Sequence, residues 1–148
     1  MIEYLKLIRP ANCAMTAIAV YIGAVVAGAS MTNPVILGMA SAFLICAGGM
    51  SINDYYDVEA DKAEKSKKKK RPVAKGAVSR ENALLIAAAL SLLGLAAAYL
   101  ISTSAFFVAL FAAFILFTYS TAKKRVVLIS NIAVSFLVAL SFIFGAVI

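Results

Sequence analysis

The chain has 148 residues, of which 64% are hydrophobic and 14% are charged, and its mean hydropathy is +0.96, values that exclude an ordinary soluble domain. It has 14 basic and seven acidic residues and no histidine, which excludes histidine relays, histidine metal sites and Ser-His-Asp triads. Cys13 and Cys46 lack the spacing of zinc or redox sites and are interpreted as small apolar residues, and no Walker sequence for phosphate binding is present.

Three uncharged stretches predict membrane-spanning helices: residues 10–53, 82–122 and 126–148. A spanning helix needs about 20 apolar residues, so the first two stretches each hold two spans and the third holds one. Ala29 to Pro34 and Ser102 to Ser104 supply turn residues inside the paired stretches. We therefore predict an all-α, polytopic transmembrane helix bundle. Its five helices are expected at about 11–30, 34–54, 82–101, 105–122 and 127–148.

The basic residues predict the orientation of these helices. All 14 lie in the amino-terminal segment, in the 55–81 loop or at residues 123–125. With five spans, these three places share one side of the membrane, which the positive-inside rule makes cytosolic. We therefore expect a multi-pass protein of the cell membrane with a cytosolic loop at 55–81.

Acidic residues cluster at the end of the second predicted helix. Asp54, Asp57 and Asp61 are spaced three and then four apart, so they share one helix face, with Asn53 one turn from Asp57. Without a cation these carboxylates would repel one another, and the helix dipole disfavours them at that end. An oxygen-only ligand set suits Mg²⁺, which completes its shell with water and substrate phosphates. We predict a cytosol-facing Mg²⁺ site at these four residues.

The 55–81 loop also contains a candidate phosphate ligand. Arg71 precedes Pro72, which fixes the adjacent backbone, and a guanidinium binds phosphate oxygens in bidentate fashion. Ser79 begins the next helix, so Arg71 should lie in a loop above the metal. Two interpretations remain open for Lys67 to Lys70: attraction to anionic lipid headgroups, or contact with a substrate.

Further candidates lie within or at the ends of the predicted spans. Tyr119 and Lys123 are four residues apart on one helix face, a pattern that also suits an interfacial belt. Asn12 and Asn131 are polar residues inside spans, where they serve either function or helix–helix contact.

The motif over residues 53–61 resembles the first aspartate-rich motif of the UbiA superfamily of intramembrane prenyltransferases, and residues 119–123 resemble its Tyr-x-x-x-Lys segment. The similarity extends in the same order to Arg9-Pro10-x-Asn12, Arg71-Pro72-x-x-x-Gly76 and Asn131. It covers essentially the whole chain. The family has about nine helices and a second aspartate-rich motif, so the resemblance implies that this chain is an amino-terminal half.

The resemblance also implies roles for individual residues in an Mg²⁺-dependent transfer of an isoprenyl chain from its diphosphate to an acceptor. The metal ligands would be Asn53, Asp54, Asp57 and Asp61. The catalytic residues would be Asp54, Asp57, Tyr119 and Lys123. The substrate-binding residues would be Asn12, Arg71, Lys123, Lys124 and Asn131.

The sequence of residues 51–61 resembles the archaeal branch of the family that makes digeranylgeranylglyceryl phosphate. That resemblance implies transfer of a geranylgeranyl group to the hydroxyl of a glycerol-phosphate ether lipid. An aromatic acceptor of a quinone or haem pathway is the alternative. A non-catalytic membrane protein whose acidic segment binds a cation or a partner is a third hypothesis. The expected partners are the isoprenyl diphosphate, the acceptor and the bilayer, and not nucleic acid.

Overall fold

A computed structural model describes residues 2–63, 71–121 and 127–148, with only the backbone described for 127–130. The described part of the chain is helical and contains no strand. The helices are α1 (Ile2–Ile8), α2 (Pro10–Val26), α3 (Asn33–Tyr56), α4 (Val58–Ala63), α5 (Arg80–Ile101), α6 (Thr103–Thr121) and α7 (Val127–Ala146). The predicted all-α bundle is confirmed, and α1 and α4 are two short helices that the sequence analysis did not include.

Among the described residues, α3, α5 and α6 are each long and apolar enough to cross a membrane. A fourth span is present if α1 and α2, which meet at an angle of 44°, are counted together. The fifth predicted span corresponds to α7, whose part from Asn131 to Ala146 is a shorter apolar helix. The chain is therefore a multi-pass membrane protein.

The first predicted helix, at about 11–30, extends a few residues further than α2, which stops at Val26. Gly28 adopts a positive φ of 92° and donates its N–H to the Val25 carbonyl at 2.9 Å. The N–H of Ala29 bonds to the Ala24 carbonyl at 2.9 Å. These two bonds form a Schellman motif, which ends a helix where glycine takes the left-handed conformation.

The segment predicted as a loop at 55–81 is partly helical. Helix α3 continues to Tyr56, and α4 follows after a single residue, Asp57. The Asp57 N–H bonds to the Asn53 carbonyl at 3.0 Å, and the Asp61 N–H bonds to the Asp57 carbonyl at 2.8 Å. Helical hydrogen bonding therefore continues across the junction, and the acidic residues keep the helical spacing inferred from the sequence.

Helix α3 occupies the centre of the bundle and contacts α1, α2, α5, α6 and α7. Its contact with α5 is close because small residues meet there. The Ser41 hydroxyl donates to the Gly94 carbonyl at 2.7 Å, and a Cβ added at Gly94 would lie 2.9 Å from the Ser41 carbonyl oxygen. Small residues of this kind let helices approach in membranes. This packing holds the acidic end of α3 beside the start of α5.

Candidate functional site

The acidic end of α3 is buried in the bundle. Asn53 is 8% exposed and Asp54 is 1% exposed, whereas Asp57 and Asp61 are partly exposed at the junction with α4 and within it. Within the described residues, no three acidic or cysteine side chains converge as the ligands of a metal would. The carboxylates instead surround an arginine. We call Asp54, Asp57 and Asp61 the carboxylate cluster.

Arg71 bridges the whole carboxylate cluster. Its Nη1 lies 2.7 Å from Asp57 Oδ2 and 3.5 Å from Asp54 Oδ1, and its Nε lies 3.3 Å from Asp61 Oδ2. Burial by itself would lower the pKa of Arg71, but the hydrogen bond to Asp57 and the charges of Asp61 and Asp54 raise it overall. Arg71 is therefore a permanent cation at the centre of the site.

A small apolar cluster positions Arg71. Val73 and Val78 follow it in the chain and pack, buried, against Leu7 of α1, Val58 of α4 and Ala83 of α5. The Arg71 carbonyl accepts a bond from the Lys75 N–H at 3.0 Å, which closes a turn. Because the residues that follow Arg71 are anchored in this way, its backbone is held near the end of α3.

Arg9 is a residue of the candidate site to which the sequence analysis gave no role. Its Nη2 lies 2.8 Å from Asp54 Oδ1, whose side chain is 0% exposed. Its backbone is left-handed, with φ 50° and ψ 67°, at the bend between α1 and α2. Such a conformation costs a non-glycine residue about 1–3 kcal/mol. A sequence signal was present, because Arg9 and Arg71 both directly precede a proline.

One buried oxygen of the site lacks a donor among the described residues. The carboxylates of Asp54, Asp57 and Asp61 face the guanidinium groups of Arg9 and Arg71. The second carboxylate oxygen of Asp54, Oδ2, is buried and has no hydrogen-bond partner in the described part of the chain. A buried carboxylate oxygen without a donor is costly, so its position suits a ligand that the protein does not itself supply.

A cavity of about 340 Å³ opens beside the carboxylate cluster. One end is lined by the polar side chains of Arg9, Asn12, Asn53, Arg71 and Tyr119. The remaining wall is mostly apolar and comes largely from α6 and α7, including Ala109, Leu116, Leu137, Leu140 and Phe144. Along α3 the lining runs from Asn53 to Ala42, which corresponds to about 16 Å of helix. The cavity is thus a long apolar channel with a charged mouth.

The structure brings most of the predicted site residues to this mouth. Four of them line the cavity: Asn12, Asn53, Arg71 and Tyr119. Asn131 is exposed on α7, one turn before the lining residue Val134. Lys123, Lys124 and Lys67 to Lys70 lie outside the described residues.

Two further lining residues, Thr16 and Cys46, had no predicted role in the site. The Thr16 hydroxyl lies 3.5 Å from Cys46 Sγ, and both residues line the wall formed by α2 and α3. Cys13 and Cys46 are buried and free, in keeping with the interpretation as small apolar residues. A role in the cavity could not be read from sequence, because it depends on which faces of α2 and α3 meet.

The sequence matches one protein family and relatives that share one name. The sequence model of the UbiA prenyltransferase family matches residues 16–148. The chain is 38% identical over 146 residues to the digeranylgeranylglyceryl phosphate synthase of Methanopyrus kandleri, a match that covers 99% of this chain and 53% of the relative. It is 37% identical over 148 residues to the synthase of the same name from Thermococcus gammatolerans, covering 97% and 52%. The chain therefore spans about half the length of the curated relatives it matches.

Solved structures share the fold. A structure of a digeranylgeranylglyceryl phosphate synthase superimposes with a TM-score of 0.87 at 30% identity, covering 97% of this chain and 51% of that one. A UbiA homologue from Archaeoglobus fulgidus bound to GPP and Mg²⁺ superimposes with a TM-score of 0.82 at 27% identity, covering 99% and 53%.

Proposed function

Because the chain belongs to the UbiA prenyltransferase family, we propose that it forms part of an enzyme that transfers an isoprenyl group from its diphosphate to an acceptor. The observation that carries this proposal is the division of the cavity into a charged mouth and an apolar channel. An isoprenyl diphosphate has the same division, with an anionic head and a hydrocarbon tail. The relative from Archaeoglobus fulgidus that was solved with GPP and Mg²⁺ supports the assignment.

The donor chemistry at the mouth suits a magnesium ion, and in this arrangement the described carboxylates surround Arg71 in place of a metal. Asn53, Asp54, Asp57 and Asp61 offer only oxygen donors, the ligands that Mg²⁺ prefers, and Asp54 Oδ2 is a buried oxygen without a hydrogen-bond partner among the described residues. We assign these four residues as the ones that would hold it. When bound, Mg²⁺ would neutralise negative charge on the departing diphosphate.

The remaining groups at the mouth would hold the diphosphate and shape the reaction. Arg71 offers a planar, bidentate guanidinium, and Tyr119 offers a phenol that donates a hydrogen bond. We keep Lys123 and Lys124 in the diphosphate-binding set on the basis of the sequence. As the carbon–oxygen bond breaks, these donors stabilise the negative charge that develops on the leaving group. The apolar walls exclude water from the allylic cation until the acceptor captures it.

We propose that the acceptor is the hydroxyl group of a glycerol-phosphate ether lipid and that the transferred group is geranylgeranyl. The curated relatives described above, both named digeranylgeranylglyceryl phosphate synthase, support this choice. Asn12 lines the mouth on α2, and Asn131 lies one turn beyond the lining of α7, so both are candidates for contact with the acceptor.

The test uses a hybrid protein in which residues 1–148 replace the matching part of the Methanopyrus kandleri relative. Membranes containing the hybrid receive labelled geranylgeranyl diphosphate, Mg²⁺ and either geranylgeranylglyceryl phosphate or 4-hydroxybenzoate. We expect transfer to the glycerol-phosphate ether only, and its loss when EDTA removes the metal. Transfer to the aromatic acceptor alone would show that the lipid assignment is wrong.

We further propose that the mouth of the cavity faces the cytosol. The described basic residues lie at this end of the bundle: Lys6, Arg9, Lys62, Arg71, Lys75 and Arg80. The connection between α2 and α3, which contains Thr32, carries no charge. The positive-inside rule then orients the bundle.

Cysteine labelling tests this orientation. In a background with Cys13→Ala and Cys46→Ala, we expect Lys75→Cys to react with a membrane-impermeant maleimide only from the cytosolic side. Thr32→Cys should react only from the outside. Both replaced side chains are exposed, so reactivity reports sidedness and not burial. Labelling of both positions from one side would contradict the predicted topology.

A further inference from the structure

We propose that Arg71 is an exchangeable counter-ion, which holds the carboxylate cluster together until a divalent cation takes the carboxylates and the guanidinium passes to the diphosphate. This inference rests on the proposed function, since it concerns the same metal and the same leaving group. It adds an order of events and a coupling between two ligands. It also makes a prediction opposite in sign to the usual loss of binding when a site residue is removed.

The distances between Arg71 and the carboxylates support the first step, which is competition between Arg71 and the metal. The carboxylate oxygens that Arg71 contacts are Asp57 Oδ2 at 2.7 Å, Asp61 Oδ2 at 3.3 Å and Asp54 Oδ1 at 3.5 Å. All three residues are proposed ligands of the metal. A guanidinium and a divalent cation cannot both occupy the space between these carboxylates without repulsion, so the cation must compete with Arg71.

The Arg71 side chain has room to change partners. Its side chain is 29% exposed and lines the same cavity mouth as Asn53 and Tyr119. Its backbone is held by the turn to Lys75 and by the apolar cluster around Val73. A change of partner therefore needs only rotation about side-chain bonds, and the guanidinium stays within the mouth where the diphosphate would bind.

Arg9 is not the exchanging group. The structure gives it one carboxylate partner, Asp54 Oδ1 at 2.8 Å. Because Arg9 does not lie between the carboxylates of the cluster, it can continue to neutralise Asp54 while Arg71 leaves. Arg71 is the group whose partners all belong to the carboxylate cluster.

The exchange of Arg71 makes binding of the divalent cation and binding of the diphosphate cooperative. Diphosphate removes the competing guanidinium from the carboxylates, so it should tighten metal binding, and by linkage the metal should tighten diphosphate binding by the same factor. Without Arg71 this competitor is absent. The metal should then bind more tightly alone, and the only coupling left should be the part that comes from direct contact between the metal and the diphosphate.

The experiment measures Mn²⁺ binding by electron paramagnetic resonance to the full 148-residue chain in lipid nanodiscs, with and without inorganic pyrophosphate. Free Mn²⁺ is corrected for its complex with pyrophosphate. For the unmodified chain we expect pyrophosphate to tighten Mn²⁺ binding about tenfold, within the usual range of coupling between two sites. For Arg71→Gln we expect tighter Mn²⁺ binding without pyrophosphate and a clearly smaller further tightening when pyrophosphate is added.

Two variants accompany the test. Arg80→Gln removes the same charge at the same end of the bundle, but Arg80 lies 4.8 Å from the Tyr55 ring centre and bonds to the Tyr55 carbonyl, so its Mn²⁺ binding should match the unmodified chain. Arg71→Lys keeps the charge but cannot reach three carboxylates at once, and it should give an intermediate affinity. Circular dichroism checks that each variant keeps its helical content.

The outcomes separate the two proposals. If Arg71→Gln binds Mn²⁺ no more tightly than the unmodified chain while pyrophosphate still tightens binding in both, the exchange is wrong and the metal site stands. If Arg80→Gln raises the affinity for Mn²⁺ as much as Arg71→Gln does, the increase comes from the loss of any nearby positive charge. The exchange is then wrong. If neither the unmodified chain nor Arg71→Gln binds Mn²⁺, with or without pyrophosphate, the metal site of the proposed function is wrong. The exchange, which depends on that site, is then wrong as well.

Discussion

Asp57→Asn should lower geranylgeranyl transfer by the hybrid protein on the order of 10²–10³-fold, the loss typical when one group that organises charge in a transition state is removed. Asp57 occupies the junction between α3 and α4 and makes the shortest contact with Arg71, at 2.7 Å. The amide removes a negative charge from the proposed metal site and at the same time releases the guanidinium from its nearest carboxylate. Both effects weaken the charged mouth of the cavity.

The loss should not come from misfolding. The helical bonds across the junction use the backbone of Asp57, so an amide side chain leaves them intact. Glu59→Gln is the matched control, because Glu59 lies two residues further along, its side chain is 76% exposed, and it pairs with the exposed Lys62 and not with Arg71. Transfer rates are measured at equal amounts of membrane-inserted protein. Unchanged turnover in Asp57→Asn, or an equal loss in Glu59→Gln, would overturn the metal assignment.

Much of the fold could be predicted because hydropathy and charge are segregated along this chain. A spanning helix requires a long apolar run, and the charged residues interrupt the sequence only where the chain leaves the membrane. The predicted and observed helices differ where the local backbone conformation decides where a helix begins or ends. Gly28 ends α2 by adopting a positive φ, and α4 forms because hydrogen bonding continues through Asp57. Neither feature changes the hydropathy pattern.

The candidate site was predictable where it depends on helical spacing and less so where it depends on packing. The spacing of Asp54, Asp57 and Asp61 placed them near one another, and the structure surrounds Arg71 with them. The Arg9 contact with Asp54 needs the bend between α1 and α2, and the proline after Arg9 does not by itself specify which side chain of α3 Arg9 meets. The apolar channel likewise arises only when α6 and α7 pack beside α3.

The 148-residue chain expressed alone should show no detectable prenyl transfer, whatever its affinity for metal. Its sequence has one acidic cluster, and a diphosphate leaving group needs its charge neutralised from more than one side. The described walls of the cavity come largely from α2, α3, α6 and α7, and large apolar side chains of α6 and α7, such as Phe114 and Phe136, are exposed. Water or lipid that reaches an allylic cation would quench it before the acceptor does.

Co-expression tests this expectation directly. The part of the Methanopyrus kandleri relative that this chain does not match is produced together with residues 1–148, and transfer of labelled geranylgeranyl to a glycerol-phosphate ether lipid is measured with and without Mg²⁺. We expect activity only when both segments are present, and none when the chain carries Asp57→Asn, which excludes activity of the added segment by itself. Robust transfer by residues 1–148 alone would show that one carboxylate cluster and one half of a bundle suffice, because the cation would then survive in a cavity with an open side.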